Sequence, residues 1–483
     1  MSHSRFGPAL CLVAMLAGCG GGGGSSSSSG GSTSSAPPPP PPSTAGSGCS
    51  LAERQNWAAA QLKEWYLFPE TLPSSLDPTP YPTVGDYVDA LTATARSQGR
   101  DRFFTYVTSI AQENAFYSSG SSAGFGIRLS YDESARRLFI TEAFEGAPAL
   151  AAGLDRGTEI LAIGTSASNL VPVASLFASG GSQAVSDALG PSTAGTTRTL
   201  SIADAAGTRN VTAAKADYSL TPVSSRYGGK ILDDGGRKVG YVNLRTFIDT
   251  ADPALRQVFA GFRSSGIDNV IVDLRYNGGG LVSISELLGD LLGGNRSRSD
   301  VFDYQTFRPE KAANNTQHNF TPQAQSVSAT RIAFIGTGGT ASASELAINA
   351  FTPFLHSASA LIGTNTYGKP VGQIALDRAA CDDRLRVIAF KTENGAHQGD
   401  YFQGLATKMD STCAAPDDLS HPLGDPAEGS TRTALDFLAG RSCTRIGAAA
   451  AVKGAAAGAP EAPRQLLTPD RPNTPQREVP GSF

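Results

Sequence analysis

Twice in this chain an apolar run too short for a helix stops at a cluster of glycines and resumes with helical spacing. NVIVDL (269–274) passes through RYNGGG (275–280) into LVSISELLGDLL, and RIAFIGT (331–337) passes through GGTASASE into LAINAF. Short continuous apolar runs bounded by turn residues read as strands covered on both faces. A strand, a glycine turn and a helix in repetition predict an α/β fold for 221–445, with chemistry at the carboxyl ends of the strands. KVGYVNLRTF, ahead of these units, reads as a further strand. Asp252-Pro253 then predicts a helix start, with Leu255, Val258, Phe259 and Phe262 on its inner face.

Two other regions differ in pattern. Residues 49–119 read as a small helical domain: Ser50 and Glu53 form a capping box, and a second helix is expected near Thr83. In 120–220 the glycine-bracketed SSAGFGIRL enters a strand, RRLFITEAF alternates, APALAAGL is a short helix and TEILAIGT is another strand. TTRTLSIAD and NVTAAKADY close the region as a pair. This order, with Gly124, Phe125, Gly126 and Ile127 as the loop, resembles a bacterial PDZ domain. Such domains take a peptide carboxylate on loop amides and add the peptide as a strand.

The chain opens MSHSRFGPALCLVAMLAGC, with Arg5 before a short apolar run and small residues before Cys19. That is an export signal over 1–18, too short for a spanning helix. Leu16-Ala17-Gly18-Cys19 resembles the lipobox of bacterial lipoproteins, implying a lipidated Cys19. Gly20 is not the aspartate associated with inner-membrane retention, so the expected location is the outer membrane of a Gram-negative envelope, facing the periplasm or the cell surface. Residues 19–48, rich in Gly, Ser and Pro, form a tether of roughly 30 Å. Residues 446–483 begin as an Ala/Pro-rich tail, expected loose, although QLL and the final VPGSF could dock. The formal charge is −4 with no basic cluster, which argues against nucleic acid as a partner.

Of six cysteines, Cys11 leaves with the signal and Cys19 is the lipid site. The remaining four, in an oxidising compartment, allow three pairings. Because the loop from Cys381 to Cys413 flanks LRVIAFKTE and DYFQGLAT, read as a strand pair, the expected bridges are Cys381–Cys413 and Cys49–Cys443. No C-x-x-C spacing occurs and the five histidines are scattered, so no metal or cofactor is expected.

Ser342 stands at a helix start, where the dipole and free amides favour a nucleophile. Its hydroxyl needs a base. GTNTYGKPVGQ (363–373) supplies Lys369, flanked by glycine and proline with no acid before Asp377. The stretch nearly matches a phosphate loop, but Pro370 replaces the required hydroxyl and no helix follows. A lysine serves as base only if burial lowers its pKa from about 10.4.

GTASASE, then TYGKPVGQ, with VDLRYNGGG upstream and the PDZ-like module before it, resembles the carboxy-terminal processing (tail-specific) serine peptidases over roughly residues 50–440. The resemblance implies a crotonase/Clp-like core of stacked β-β-α units, with Ser342 as nucleophile, Lys369 as base and Gln373 orienting the lysine. It places the oxyanion between the Ala343 amide and an amide of the Gly278, Gly279 turn. The implied substrates are proteins or peptides with exposed tails, presented by the PDZ-like module. Three positions depart from the family pattern: Pro370 stands for glycine, Gly372 for valine and Gly278 for proline. Two alternatives stay open, a non-catalytic binding scaffold on the same fold and an esterase using a histidine.

Overall fold

The computed structural model describes residues 48–447 and 464–483. The signal, Cys19, nearly all of the tether and residues 448–463 lie outside the described residues.

The fold is α/β. Its central sheet runs Gly229–Asp234, Arg237–Asn243, Asn269–Asp273, Arg331–Gly336, Ser359–Gly363, Ser411–Ala414 in spatial order. The first pair is antiparallel and every later pair parallel. The helices Ala251–Ser264, Val282–Leu292 and Ala343–Leu355 cover one face through Leu255, Phe259, Leu288, Leu346 and Phe351. The helix Gly429–Leu438 covers the other through Ala434 and Leu435. Both glycine turns therefore emerge at the carboxyl edge of adjacent strands. Thr250, not Asp252, precedes the first of these helices, and Asp252 lies in its first turn, bonded to Arg256 at 2.7 Å.

A second, antiparallel sheet is built around the long strand Asp383–Asn394, which pairs with Tyr106–Ser109, Val301–Phe307 and Val371–Arg378. The amino-terminal helices Leu51–Trp65 and Val84–Leu91 pack on it, sharing one apolar cluster with Val371, Leu385, Val387 and Ile388. The Ser50–Glu53 capping box is present. Residues 400–407, read as a strand from their apolar content, form turns and irregular backbone.

This arrangement overturns the expected disulfides. Cys49 pairs with Cys381, Cα atoms 5.6 Å apart, and Cys413 with Cys443, 5.4 Å apart. The first helix lies against Asp383, whose carboxylate takes Arg54 at 2.6 and 2.5 Å, and so carries Cys49 to the start of that strand. Cys413 lies on a strand of the other sheet. There the Ala414 amide bonds the Thr444 carbonyl at 2.7 Å, which brings Cys443 alongside. Cys381, in the turn between two strands of the antiparallel sheet, and Cys413, on a strand of the central sheet, are thus not across a hairpin.

Residues 121–219 form an α+β module with strands Ile127–Asp132, Arg137–Ala143, Glu159–Gly164, Thr197–Asp204 and Gly207–Ala214 in one sheet. The kinked helix Val173–Leu189 packs on it; its apolar spacing is broken by Gly180 and Gly181, and the sequence reading passed over it. Two buried ionic clusters join the module to the core. Arg245 reaches Glu142 at 2.7 Å, where Arg128 also pairs. Asp417 takes Arg156 at 3.0 Å, Arg275 at 3.3 Å and the Tyr276 hydroxyl at 2.5 Å. Groups this buried are tolerated when paired and hydrogen bonded.

Candidate active site

Ser342 immediately precedes the helix Ala343–Leu355 with φ 56° and ψ −118°. A non-glycine residue in such a conformation costs about 1–3 kcal/mol and persists only where its surroundings over-determine it. Here they do. The Asn277 carbonyl accepts both the Ala341 amide at 3.0 Å and the Ser344 hydroxyl at 2.9 Å, tying one glycine turn to the other. At Gly279, φ 122°, a Cβ would lie 2.8 Å from the Ser342 Cβ, so only glycine permits the approach.

The carboxylate of Glu345, wholly buried, joins the serine to the lysine loop. Its Oε2 accepts the Ser342 amide at 3.1 Å and the Lys369 amide at 2.7 Å. Its Oε1 accepts the Gly368 amide at 2.7 Å and the Thr366 hydroxyl at 2.6 Å. Burial pushes the Glu345 carboxyl up, while these four donors favour its charged form. The sequence reading gave Glu345 no part in the site. Three of its four partners lie more than 20 residues along the chain, where no local signal reaches.

Arg102 braces the same loop from outside, bonding the carbonyls of Tyr367 at 2.7 Å and Gly368 at 2.6 Å and stacking 4.2 Å from the Tyr367 ring. It too was missed. The Lys369 ammonium donates to Gln373 Oε1 at 3.3 Å and sits 5.2 Å from the centre of the Phe104 ring. Gln373 is fixed in turn by its own bond to the Phe104 carbonyl. Burial pushes the Lys369 pKa down; Glu478 and Asp101 work against that, Arg477 and Arg386 with it. Ser342, Lys369 and Gln373 are thus gathered by one buried carboxylate and one aromatic wall.

At Gly372 a Cβ would meet the Phe390 ring at 2.0 Å, so the ring fills the space that a valine side chain would need. Ala343 begins the serine helix, buried. The amides of the other two oxyanion candidates are occupied: Gly279 bonds Asn277 Oδ1 at 2.9 Å and Gly278 bonds the Glu478 carbonyl at 3.0 Å. The cleft, about 1780 Å³, is lined by Ala341, Lys369, Tyr106, Asp417, Arg477 and Glu478 among others.

The loop Gly124–Ile127 is not part of the lining of that cleft. The amides of Gly126 and Ile127 donate to the Phe483 main-chain oxygen at 2.9 and 3.3 Å, and the Phe483 amide returns a bond to Ile127 at 2.9 Å. Gly126, φ 75°, approaches Ala147 so closely that a Cβ would overlap it at 2.0 Å. Phe125 and Ile127 belong to the apolar cluster that takes the Phe483 ring.

The histidines within the described residues do not form a triad with Ser342. His318 faces Glu286 and Asp290, His397 stacks on Tyr304, and His356 pairs with Asp410 at the surface. His421 meets both Asp418 and Ser420 through the same ring nitrogen, Nδ1. A relay needs opposite ring nitrogens.

Comparison with known proteins places these residues in a wider context. The profile of Peptidase family S41 matches residues 238–397, a span that contains Gly278, Ser342, Lys369 and Gln373. A carboxyl-terminal-processing protease of Synechocystis sp. is 26% identical over 325 residues, covering 67% of this chain and 70% of that one. The chloroplastic C-terminal processing peptidase of Tetradesmus obliquus is 27% identical over 278 residues, and this chain spans 54% of its length. Among solved structures, an S41 protease from Bacteroides fragilis superposes with a TM-score of 0.62 at 21% identity, covering 80% of this chain and 97% of that one. That is a likeness of fold.

Proposed function

Because this chain belongs to peptidase family S41 through the domain at residues 238–397 and is a serine-type peptidase, we propose that it cleaves proteins through Ser342 as nucleophile and Lys369 as general base. The observation that carries the reading is the Glu345 carboxylate, which binds the main chains of both residues through a single oxygen. The surroundings of Lys369 support that role: its side-chain hydrogen-bond partner is the neutral amide of Gln373, and burial favours the free amine.

In this mechanism Ser342 Oγ attacks the peptide carbonyl carbon while Lys369 Nζ takes its proton. The C–N bond then breaks and the departing amine takes that proton back. Lys369 Nζ then deprotonates a water that attacks the ester carbon, and as the C–O bond breaks the lysine returns that proton to Ser342 Oγ. The Ala343 amide and a glycine-turn amide would hold the oxyanion, each such donor being worth about 2.7–4 kcal/mol.

We further assign the 121–219 module to substrate-tail capture, on the support of its loop amides at Gly126 and Ile127 and of its exposed Val171 edge strand. Lipid anchoring at Cys19 and an envelope location rest on the leader sequence. Protein substrates with accessible tails follow from the same reading.

The test is cleavage of an unfolded reporter protein by purified variants, with thermal melts as folding control. Ser342→Ala, Lys369→Ala and Lys369→Arg should each abolish cleavage, because guanidinium does not deprotonate in proteins. Near-normal cleavage by folded Lys369→Ala would reject the dyad. Absence of labelling of Ser342 by a fluorophosphonate, together with peptide binding, would favour the non-catalytic scaffold.

A further inference from the structure

We propose that residues 474–483 are a ligand this chain supplies to its own peptidase cleft, an occupant in cis that a substrate must displace. The inference rests on the serine-peptidase reading of that cleft and adds the identity of the segment that fills it.

The chain leading to the segment docks by strand addition. Gln465 and Leu466 pair with Tyr131 and Ser130, and Leu467 bonds the Leu129 carbonyl at 3.0 Å. The chain then leaves the strand, crosses the cleft as the short helix Thr474–Glu478, and returns to it: the Leu129 amide bonds the Gly481 carbonyl at 2.8 Å before Phe483 reaches the glycine loop. Both visits use the backbone edge of Ile127–Asp132. Side chains anchor each end. Leu467 and Phe483 enter the module's apolar core, and Val479 packs among Phe116, Phe144, Tyr218 and Ile248.

Between these anchors the segment lies on the catalytic turn. The Glu478 carbonyl accepts the Gly278 amide at 3.0 Å, occupying a donor assigned to the oxyanion. A Cβ at residue 278 would lie 2.3 Å from the Arg477 carbonyl oxygen and 3.0 Å from Pro480 Cδ. Proline, which the tail-specific peptidases usually carry here, has no amide hydrogen and would collide with the segment. The departure at Gly278 and the docked segment therefore explain each other.

The Glu478 side chain completes the occupancy. Its carboxylate is buried and accepts the Tyr117 hydroxyl at 3.0 Å; burial pushes its pKa up, and the Lys369 charge works against that rise. A neighbouring negative charge favours the ammonium, and an ammonium cannot accept the serine proton. Arg477 holds the helix from the other side, 3.8 Å over the Tyr106 ring and bonded to the Phe103 carbonyl at 3.0 Å. The segment blocks an oxyanion donor and works against the lowering of the base's pKa, so it acts as an inhibitor rather than a substrate.

The experiment compares the full chain with Val479→Asp/Phe483→Asp, which places two carboxylates in apolar pockets, and with the near-isosteric Glu478→Gln. Cleavage of an unfolded reporter should rise about tenfold in the double variant, as for a competent state lifted from about a tenth to most of the population. A synthetic peptide of residues 474–483 should restore inhibition, and labelled peptide should bind the double variant carrying Ser342→Ala. Should the double variant fail to fold by thermal melt, Glu478→Gln decides, with a severalfold rise expected. Unchanged turnover, or no peptide binding, overturns the proposal. A cut after Glu478 in the native chain, lost in Ser342→Ala, makes the segment a substrate and also overturns it. Peptide binding with no cleavage by any form supports the ligand assignment and rejects the peptidase reading.

Discussion

The carboxylate of Glu345 accepts the main-chain amide of Lys369 at 2.7 Å, from a helix that starts directly after Ser342. Lys369 is thus held by the residue three places after that serine. Glu345→Gln keeps the shape but turns one acceptor into a donor facing amide hydrogens. Cleavage should fall about 100-fold in kcat, the usual cost of misplacing reacting groups by about 1 Å. The folded state should lose about 1–3 kcal/mol for the unsatisfied amides. Steady-state kinetics beside urea melts check both, and an effect on KM alone would show that Glu345 does not position the base.

Activity should rise with pH through the Lys369 titration, because only the free amine accepts the serine proton. Burial moves that limb below the ordinary lysine range, and Glu478 and Asp101 move it back up while Arg477 and Arg386 lower it. Removing the Glu478 charge by Glu478→Gln should therefore shift the rising limb of kcat/KM to lower pH. A limb that stays in place would mean that the two groups do not interact.

Asp417 should be a main source of acid sensitivity. Burial alone would raise its pKa, but Arg156, Arg275 and Tyr276 hold it at about 2. Against an unfolded value of about 3.9, its stabilisation is complete above that value and is lost as pH falls toward about 2. Asp417→Asn should flatten the stability profile between about pH 5 and 2 and cost about 3–5 kcal/mol at neutral pH, by leaving two buried guanidiniums short of a counter-charge. Denaturant melts across that range measure both effects.

The two disulfides should contribute unequally. Cys49–Cys381 closes a separation of 332 residues and Cys413–Cys443 one of 30. In the chain-entropy model the longer loop contributes about 6 kcal/mol and the shorter about 4 kcal/mol, before strain. Paired Cys→Ser replacements followed by melts should rank them in that order. Non-reducing peptide mapping should recover Cys49 joined to Cys381.

Much of the core was legible because its signals are short-range. The apolar runs NVIVDL and RIAFIGT, the glycines that follow them and the capping box at Ser50 report local backbone preferences, and each predicts its own element. Ser342 and Lys369 could be singled out for the same reason, each standing in a few residues of distinctive composition. What local pattern cannot encode is which distant surfaces meet. Residues 400–407 carry strand-like apolar content but pack as irregular backbone, and the cysteines follow the sheet to which each neighbouring strand belongs. Glu345, Arg102 and Glu478 take their roles from partners set beside them by packing, over separations from 21 to 266 residues in the bonds that Glu345 and Arg102 make to the lysine loop. The sequence by itself determined an α/β core with a serine and a lysine in its turns. Only the tertiary structure decided that a buried glutamate joins them and that the chain's own residues 474–483 lie across the site, because those contacts depend on burial and on the closure of long loops.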